Sequence, residues 1–273
     1  MQKLLWFSIM SVMACSLQAE LPPYAQQIAQ KHQRAVSSEV RSQIHTALAA
    51  FNTLIATDVT YVSCPITSGW RLYHYMDTYG YRTLDEAMSH KELYVQNVIA
   101  PNLEESGRVS QALAETLSGV VIAPIAFEKG FHALKMEEEA VLPWGQHEFM
   151  SLWLRTIEHK VTRMVLVDGW QYSSGASEEF LWASLMQMGF LSRNQIAIVD
   201  VRGEPVTLDR GAALLYEAIS DVKQRGLRTV ALQDILTALI EAERLYRESL
   251  AVSPSLPHYD QTVMHRIAEG LAD

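Results

Sequence analysis

The chain has 273 residues, of which 49% are hydrophobic and 19% are charged, a composition typical of a globular protein with a sizeable core. Its formal net charge of −9 argues against binding to a nucleic-acid polymer, because proteins that bind the phosphate backbone present a basic surface. The two cysteines, Cys15 and Cys64, are too few for a disulfide framework or a CxxC metal site.

The first 19 residues have the layout of a secretory signal. Lys3 precedes an apolar run over residues 4–15, and Ala19 offers a small residue at a cleavage point. We therefore expect export to the periplasm or beyond; the alternative is a buried or frayed N-terminal helix in a cytoplasmic protein. The rest of the chain has no run of about 20 apolar residues, so we predict no membrane span.

Four short apolar runs separated by helical patterns predict an α/β fold with a parallel sheet and helices on both of its faces. In chain order, helical patterns cover residues 24–57, 83–117 with an interruption near Pro101, 145–161, the stretch that ends near Gly189, 208–225 and 231–250. The strand patterns cover residues 58–64, 119–124, 163–169 and 195–201, and residues 125–144 are irregular. We divide the chain into a signal (1–19), a helical N-terminal extension (20–57), the α/β domain (58–203) and a helical C-terminal region (204–273).

Ligands of parallel sheets bind beyond the carboxyl ends of the strands, so the loops after the strands carry the candidate site residues. After the first strand, Pro65 and Gly69 bracket a turn that contains the hydroxyl of Thr67. Asp168 ends the third strand, where an acid either binds a ligand hydroxyl or starts a turn. Trp170 follows it and offers a flat ring on which a base could stack.

The sequence "YSSGASEE" leads from this loop into a helix. The Ser174-Gly175 turn brings free N–H groups to the helix start, where a phosphate, a ribose hydroxyl or a carboxylate is favoured, and Ser177 is a candidate cap. Glu178 and Glu179 have two interpretations: acids that stabilise a first turn, or a carboxylate that acts as a nucleophile.

Several common site motifs are absent from the sequence. It has no GxxxxGK[ST] loop, no GxGxxG fingerprint, no HExxH pair and no GxSxG elbow. We therefore predict no metal and no cofactor.

The order of these pieces resembles the nucleoside 2-deoxyribosyltransferase superfamily over about residues 58–190, with 70–117 as an insertion. The matching positions are Tyr61 with Pro65, Gly169-Trp170, Ser173-Ser174-Gly175-Ala176, Glu179 and Ala183. The resemblance implies a Rossmann-like fold and a nucleoside or nucleotide as the small-molecule partner. It also implies that Glu179 is the nucleophile that attacks the anomeric carbon, with Glu178 as its solvated neighbour, in an N-glycosidic bond hydrolase or transferase.

The chain departs from the family pattern at three positions. Cys64 stands where the family has glycine, and Leu154 and Thr162 fall near the positions where it has aspartates; Glu148 is a candidate substitute. The alternative function is therefore a non-catalytic nucleoside- or nucleotide-binding protein of the same fold. The sequence is also compatible with a homo-oligomer.

Overall fold

The computed structural model describes residues 21–53, 58–126, 144–191 and 196–252. Within these ranges the chain forms one parallel sheet of four strands in the order β2-β1-β3-β4. The strands are β1 Val59–Ser63, β2 Val120–Ile122, β3 Arg163–Leu166 and β4 Ala197–Asp200. They confirm the α/β class and the four predicted strand positions. The predicted signal, the end of the chain and most of the irregular segment lie outside the described residues.

The strands are rich in β-branched and apolar residues, which favour a pleated sheet that is covered on both faces. Tyr61 of β1 is paired in register with Met164 of β3, and both belong to the larger of the two core clusters that flank the sheet. The next pair, Val62 and Val165, points to the opposite face and belongs to the other cluster. The sheet therefore has a hydrophobic core on each side.

The described α-helices surround this sheet. In chain order they are α1 Pro23–Ala35, α2 Ser38–Thr53, α3 Trp70–Tyr79, α4 Leu84–Ser89, α5 Lys91–Tyr94, α6 Ala100–Thr116, α7 Gln146–Lys160, α8 Ser174–Gln187, α9 Leu208–Gln224 and α10 Val230–Val252. Helix α6 covers the face that carries Val62, and α7 and α8 lie on the Tyr61 side.

The prediction of one helix over 24–57 is wrong, because two helices meet at Val36 and Ser37. Val36 is buried and has extended backbone angles (φ −91°, ψ 123°), which end α1. The Ser37 hydroxyl accepts a hydrogen bond from the N–H of Val40 at 3.3 Å, so it satisfies an unpaired donor at the start of α2.

The helices of residues 70–117 contribute most of a small cluster of buried residues. Helix α3, which the sequence patterns did not predict, ends at Gly80 in the left-handed conformation (φ 73°). The interruption predicted near Pro101 is a π-helical turn, Val95–Ile99. This turn lies just before Pro101. Proline has no backbone N–H to donate, and its ring would clash with the preceding turn of a regular helix.

The main core contains residues from both ends of the described chain. It contains Ala25 of α1, Ile44 of α2 and Tyr246 of α10 together with the buried side chains of β1 and β3. Helix α1 packs against α7 and α10, and α8 packs against the same two helices. Among the described residues, no helix combines the length and apolar character needed to cross a membrane.

Candidate functional site

The carboxylate of Glu179 lies over the carboxyl end of β1 and accepts two short hydrogen bonds. The Tyr61 hydroxyl donates to Oε1 at 2.6 Å, and the Ser63 hydroxyl donates to Oε2 at 2.6 Å. Glu179 is 6% exposed, and Tyr61 and Ser63 are fully buried. Helix α8 thus places Glu179 at the carboxyl edge of the sheet, where ligands of parallel α/β folds bind.

Both contacts have the length of a charge-assisted bond between a hydroxyl and a carboxylate, about 2.5–2.7 Å. A buried carboxylate without such donors would be strongly unfavourable. The pair of hydroxyls therefore compensates for the lost hydration of Glu179 and fixes the direction in which its oxygens point. Sequence reasoning missed Ser63, although its position two residues after Tyr61 puts it on the same face of the strand.

The expectation that Glu178 is a solvated neighbour is wrong. Glu178 is 4% exposed, and its Oε2 lies 2.5 Å from Nε2 of His32, which is also buried. The Nζ of Lys31 lies 3.6 Å from Oε1. Consecutive residues of a helix point about 100° apart, so Glu179 faces the sheet while Glu178 faces α1.

His32 extends this contact to a second imidazole. Its Nδ1 lies 3.1 Å from Nδ1 of His147, which is partly exposed at the start of α7. A neutral His32 that donates from Nε2 to Glu178 must accept at Nδ1 from His147, whereas a protonated His32 donates to both partners. Two hydrogen bonds of His32 therefore link α1, α7 and α8 through Glu178 and His147.

The start of α8 is capped by Ser173 and not by Ser177. The Ser173 hydroxyl lies 3.5 Å from the N–H of Ala176 and 3.0 Å from the hydroxyl of Ser68, in the loop after β1. Ser177 is buried in the first turn, and its hydroxyl points back to the Trp170 carbonyl at 3.5 Å. The predicted turn residues Ser174 and Gly175 form the first turn of α8 and are partly exposed.

The loop after β1 is fixed beside this helix start. Gly69 has φ 83°, and a Cβ there would lie 2.6 Å from the ring of Pro65, so both residues are needed for the close turn. Thr67 is exposed, and its carbonyl accepts a hydrogen bond from the hydroxyl of Tyr94 at the end of α5. The buried amide of Asn102 donates to the carbonyls of Ile66 and Ser68, each at 3.0 Å.

The two tryptophans of these loops have different environments. Trp170 is 3% exposed and packs against Phe180 with ring centroids 4.7 Å apart. Trp70 is 41% exposed, and a Cβ on Gly169 would overlap its ring. The structure therefore places Trp70, and not Trp170, at the accessible rim of the loops.

The acids beyond β3 and β4 also differ. Asp168 is exposed and has Arg202 at 3.9 Å. Asp200 is buried and binds the backbone N–H groups of Arg202 and Glu204 at 2.9 and 3.0 Å. Burial alone would raise the pKa of Asp200, but these hydrogen bonds and the Arg202 guanidinium outweigh it and lower that pKa.

No known family model, curated protein or solved structure matches this chain. The assignment of a function thus depends on the geometry of the site and on the motif order. Among the described residues, no group of three or more His, Cys, Asp and Glu side chains is arranged to hold a metal ion.

The positions where the resembling family carries aspartates have structural roles in this chain. Leu154 is 5% exposed in the core, and the Thr162 hydroxyl lies 3.1 Å from the N–H of Val59. Glu148 accepts the N–H of Gly145 at 2.8 Å and so caps α7. None of these three residues therefore places a second carboxyl group beside Glu179.

Proposed function

We propose that the chain breaks or transfers the N-glycosidic bond of a nucleoside, a nucleotide or a related N-riboside, with Glu179 as the nucleophile. The observation that carries the proposal is the Tyr61–Glu179–Ser63 arrangement at the carboxyl end of β1. Tyr61 and Glu179 are the two residues that the family resemblance pairs with this chemistry, and they lie 118 positions apart in the sequence.

The proposed reaction has two steps. A carboxylate oxygen of Glu179 attacks the anomeric carbon, the C–N bond breaks, and its electron pair leaves with the base, which takes a proton from solvent. Water or an acceptor base then attacks the glycosyl ester, loses a proton and releases the carboxylate, as in retaining glycosidases. Water gives a hydrolase and an acceptor base gives a transferase.

The neighbouring groups have positioning roles in this proposal. Tyr61 and Ser63 hold the nucleophile, and the exposed carboxylate of Asp168 binds a sugar hydroxyl. The first turn of α8, with Ser174 and Gly175, offers N–H groups to a phosphate or a hydroxyl. The finer fold assignment, a Rossmann-like and nucleoside deoxyribosyltransferase-like sheet, belongs to the same proposal.

The decisive experiment measures the release of free base from a panel of nucleosides and nucleoside monophosphates, separately with and without an acceptor base. We expect release by the wild type and loss of release in Glu179→Gln, which keeps the side-chain size. Glu105→Gln, on the surface of α6, is the matched control with full activity. Equal release by Glu179→Gln and the wild type would show that Glu179 is not the nucleophile.

A second measurement tests the covalent step. A 2-fluoro sugar analogue slows the breakdown of a glycosyl ester, so the intact protein should gain the mass of the sugar. Peptide mapping should place that mass on Glu179, and Tyr61→Phe should acquire the label at least about tenfold more slowly, because a hydrogen bond to the nucleophile is lost. A label on another residue would contradict the mechanism.

The second candidate function is ligand binding without turnover, which Leu154 and Thr162 favour because they replace the acids of the family pattern. Thermal denaturation with the same panel separates the two functions. A raised melting temperature with no product supports a binding protein.

We also propose that the protein is exported, on the basis of Lys3 and the apolar run that follows it. The mass of the mature N-terminus in the native host tests this proposal. A chain that begins at residue 20 is expected, and a chain that retains residue 1 would contradict it.

A further inference from the structure

A polar pocket lies between α1, α7 and α8, apart from Glu179. It has a volume of about 280 Å3, enough for roughly nine water molecules at about 30 Å3 each. Its wall contains the apolar side chains of Ala29 and Leu154 and the ring of Trp182. The polar lining residues are His32, Ser151, Arg155, Glu158 and His159.

Two opposite charges in this pocket have no partner in the described part of the chain. Arg155 and Glu158 are mostly buried, yet neither forms a hydrogen bond or an ion pair with any described residue. They are one turn apart on α7 and do not pair with each other. Because burying a charge without a partner is costly, two such groups in one cavity indicate a place for a ligand of complementary charge.

A neutral hydroxyl, that of Ser151, is also unpaired in the same wall. Trp182 contributes its ring to this wall, while its Nε1–H is buried away from the open space of the pocket. Ser151 is 8% exposed, and its hydroxyl forms no hydrogen bond within the described ranges. Ser151, Arg155 and Glu158 follow the i, i+4, i+7 spacing that puts them on one face of α7.

We propose that this pocket binds a small zwitterion of the free α-amino acid class. A guanidinium binds a carboxylate with two parallel hydrogen bonds, so Arg155 is the partner of the carboxylate. The Glu158 carboxylate is then the partner of the ammonium group, and the Ala29 and Leu154 wall receives the side chain. The pocket volume restricts the ligand to amino acids with small or medium side chains.

Calorimetric titration of the full-length protein with single amino acids tests this site. The probes are alanine, serine, valine and leucine, each compared with the carboxylic acid that lacks the amino group and the amine that lacks the carboxyl group. We expect saturable binding of at least one amino acid and binding at least about tenfold weaker for both analogues, since each loses one charged contact.

Two variants identify the pocket. Arg155→Gln and Glu158→Gln should each weaken binding about tenfold or more, whereas Arg163→Gln, which changes an exposed arginine at the start of β3, should leave it unchanged. Circular dichroism confirms that each variant is folded.

The site is independent of the proposed glycosidic chemistry, so Glu179→Gln should bind the amino acid as the wild type does. Three results would overturn the proposal: no binding of any amino acid, equal binding of the simple carboxylic acids, or undiminished binding by Arg155→Gln.

Discussion

Asp200 organises the end of β4 through a single buried carboxylate. Its Oδ1 accepts two backbone N–H groups, and its Oδ2 lies 3.1 Å from Arg202 and 3.5 Å from Arg210. These contacts close the turn that follows β4 and keep Arg202 within 3.9 Å of Asp168 at the candidate site. Asp200 is therefore a structural acid beside the candidate site.

The lowered pKa of Asp200 predicts how it contributes to stability at different pH values. A carboxyl group whose pKa is lower in the folded state stabilises the protein above its unfolded pKa of about 3.9, and this contribution is lost as the pH falls through the folded pKa. We expect Asp200→Asn to lower the free energy of unfolding by about 1–3 kcal/mol at neutral pH. In urea denaturation of both proteins, the difference should be constant from about pH 5 to 7 and should shrink below about pH 4. A difference that grows as the pH falls would contradict the assignment.

At the scale of whole elements, the His32–Glu178 contact attaches α1 to the helix that carries Glu179. Removal of His32 leaves the buried carboxylate of Glu178 with only the half-exposed Lys31 as a partner, so His32→Ala should lower the free energy of unfolding by about 3–5 kcal/mol. Lys31→Ala is the matched control, since this lysine is half exposed and its ion pair is worth less than about 1 kcal/mol. The double change of His32 and Glu178 to leucine should recover most of the loss, because no unpaired charge remains. Urea denaturation measures all four proteins, and equal losses in the two single variants would show that the contact contributes little.

Helix α9 packs closely against α8 at Gly211, where a larger side chain would not fit. A Cβ on Gly211 would overlap the ring of Phe180, whereas a Cβ on Gly107, in the middle of α6, would meet no atom within 4 Å. Gly211→Ala should therefore lower the free energy of unfolding by about 1–3 kcal/mol through overpacking. Gly107→Ala should raise it by about 0.5–1 kcal/mol, because alanine is the better helix former. A stabilised Gly211→Ala protein would contradict the close packing of the two helices.

The accuracy of the sequence predictions depended on whether local chemistry determines a feature. The strands were predicted because each is a short run of apolar and β-branched residues, a pattern that needs no distant partner. The break before Ser37 carried a local signal, a serine cap after a β-branched residue, which the continuous apolar pattern outweighed. The burial of Glu178 had no local signal, because its partner His32 lies 146 residues away.

The same distinction applies to the candidate site. Tyr61 and Glu179 were predicted from motif order, and Ser63 could have been predicted from the period of the strand. The pocket between α1, α7 and α8, where we propose that an amino acid binds, could not have been predicted from the sequence. It depends on which face each helix presents to the others.

At the scale of the whole molecule, the helices from both ends of the described chain and the sheet share one core. Ile44 of α2 is 1% exposed, and Leu236 and Leu239 of α10 are fully buried in the same cluster as Tyr61. Each fully buried side chain of this type contributes about 1.5–3 kcal/mol relative to an exposed one. The sheet and the terminal helices therefore stabilise each other.

This shared core predicts the effect of removing the N-terminal helices. A chain that begins at residue 58 lacks α1 and α2, so it exposes the apolar surface of α7 on which they pack and leaves Glu178 without His32. Since a single domain has a stability of about 5–15 kcal/mol, that loss should abolish cooperative unfolding. Calorimetry should show one transition for a chain that begins at residue 20 and none for the chain that begins at residue 58. A cooperative transition in the shorter chain would mean that the sheet and its remaining helices fold without α1 and α2. An assay of base release by the same shorter chain would then show whether α1 is needed to position Glu179.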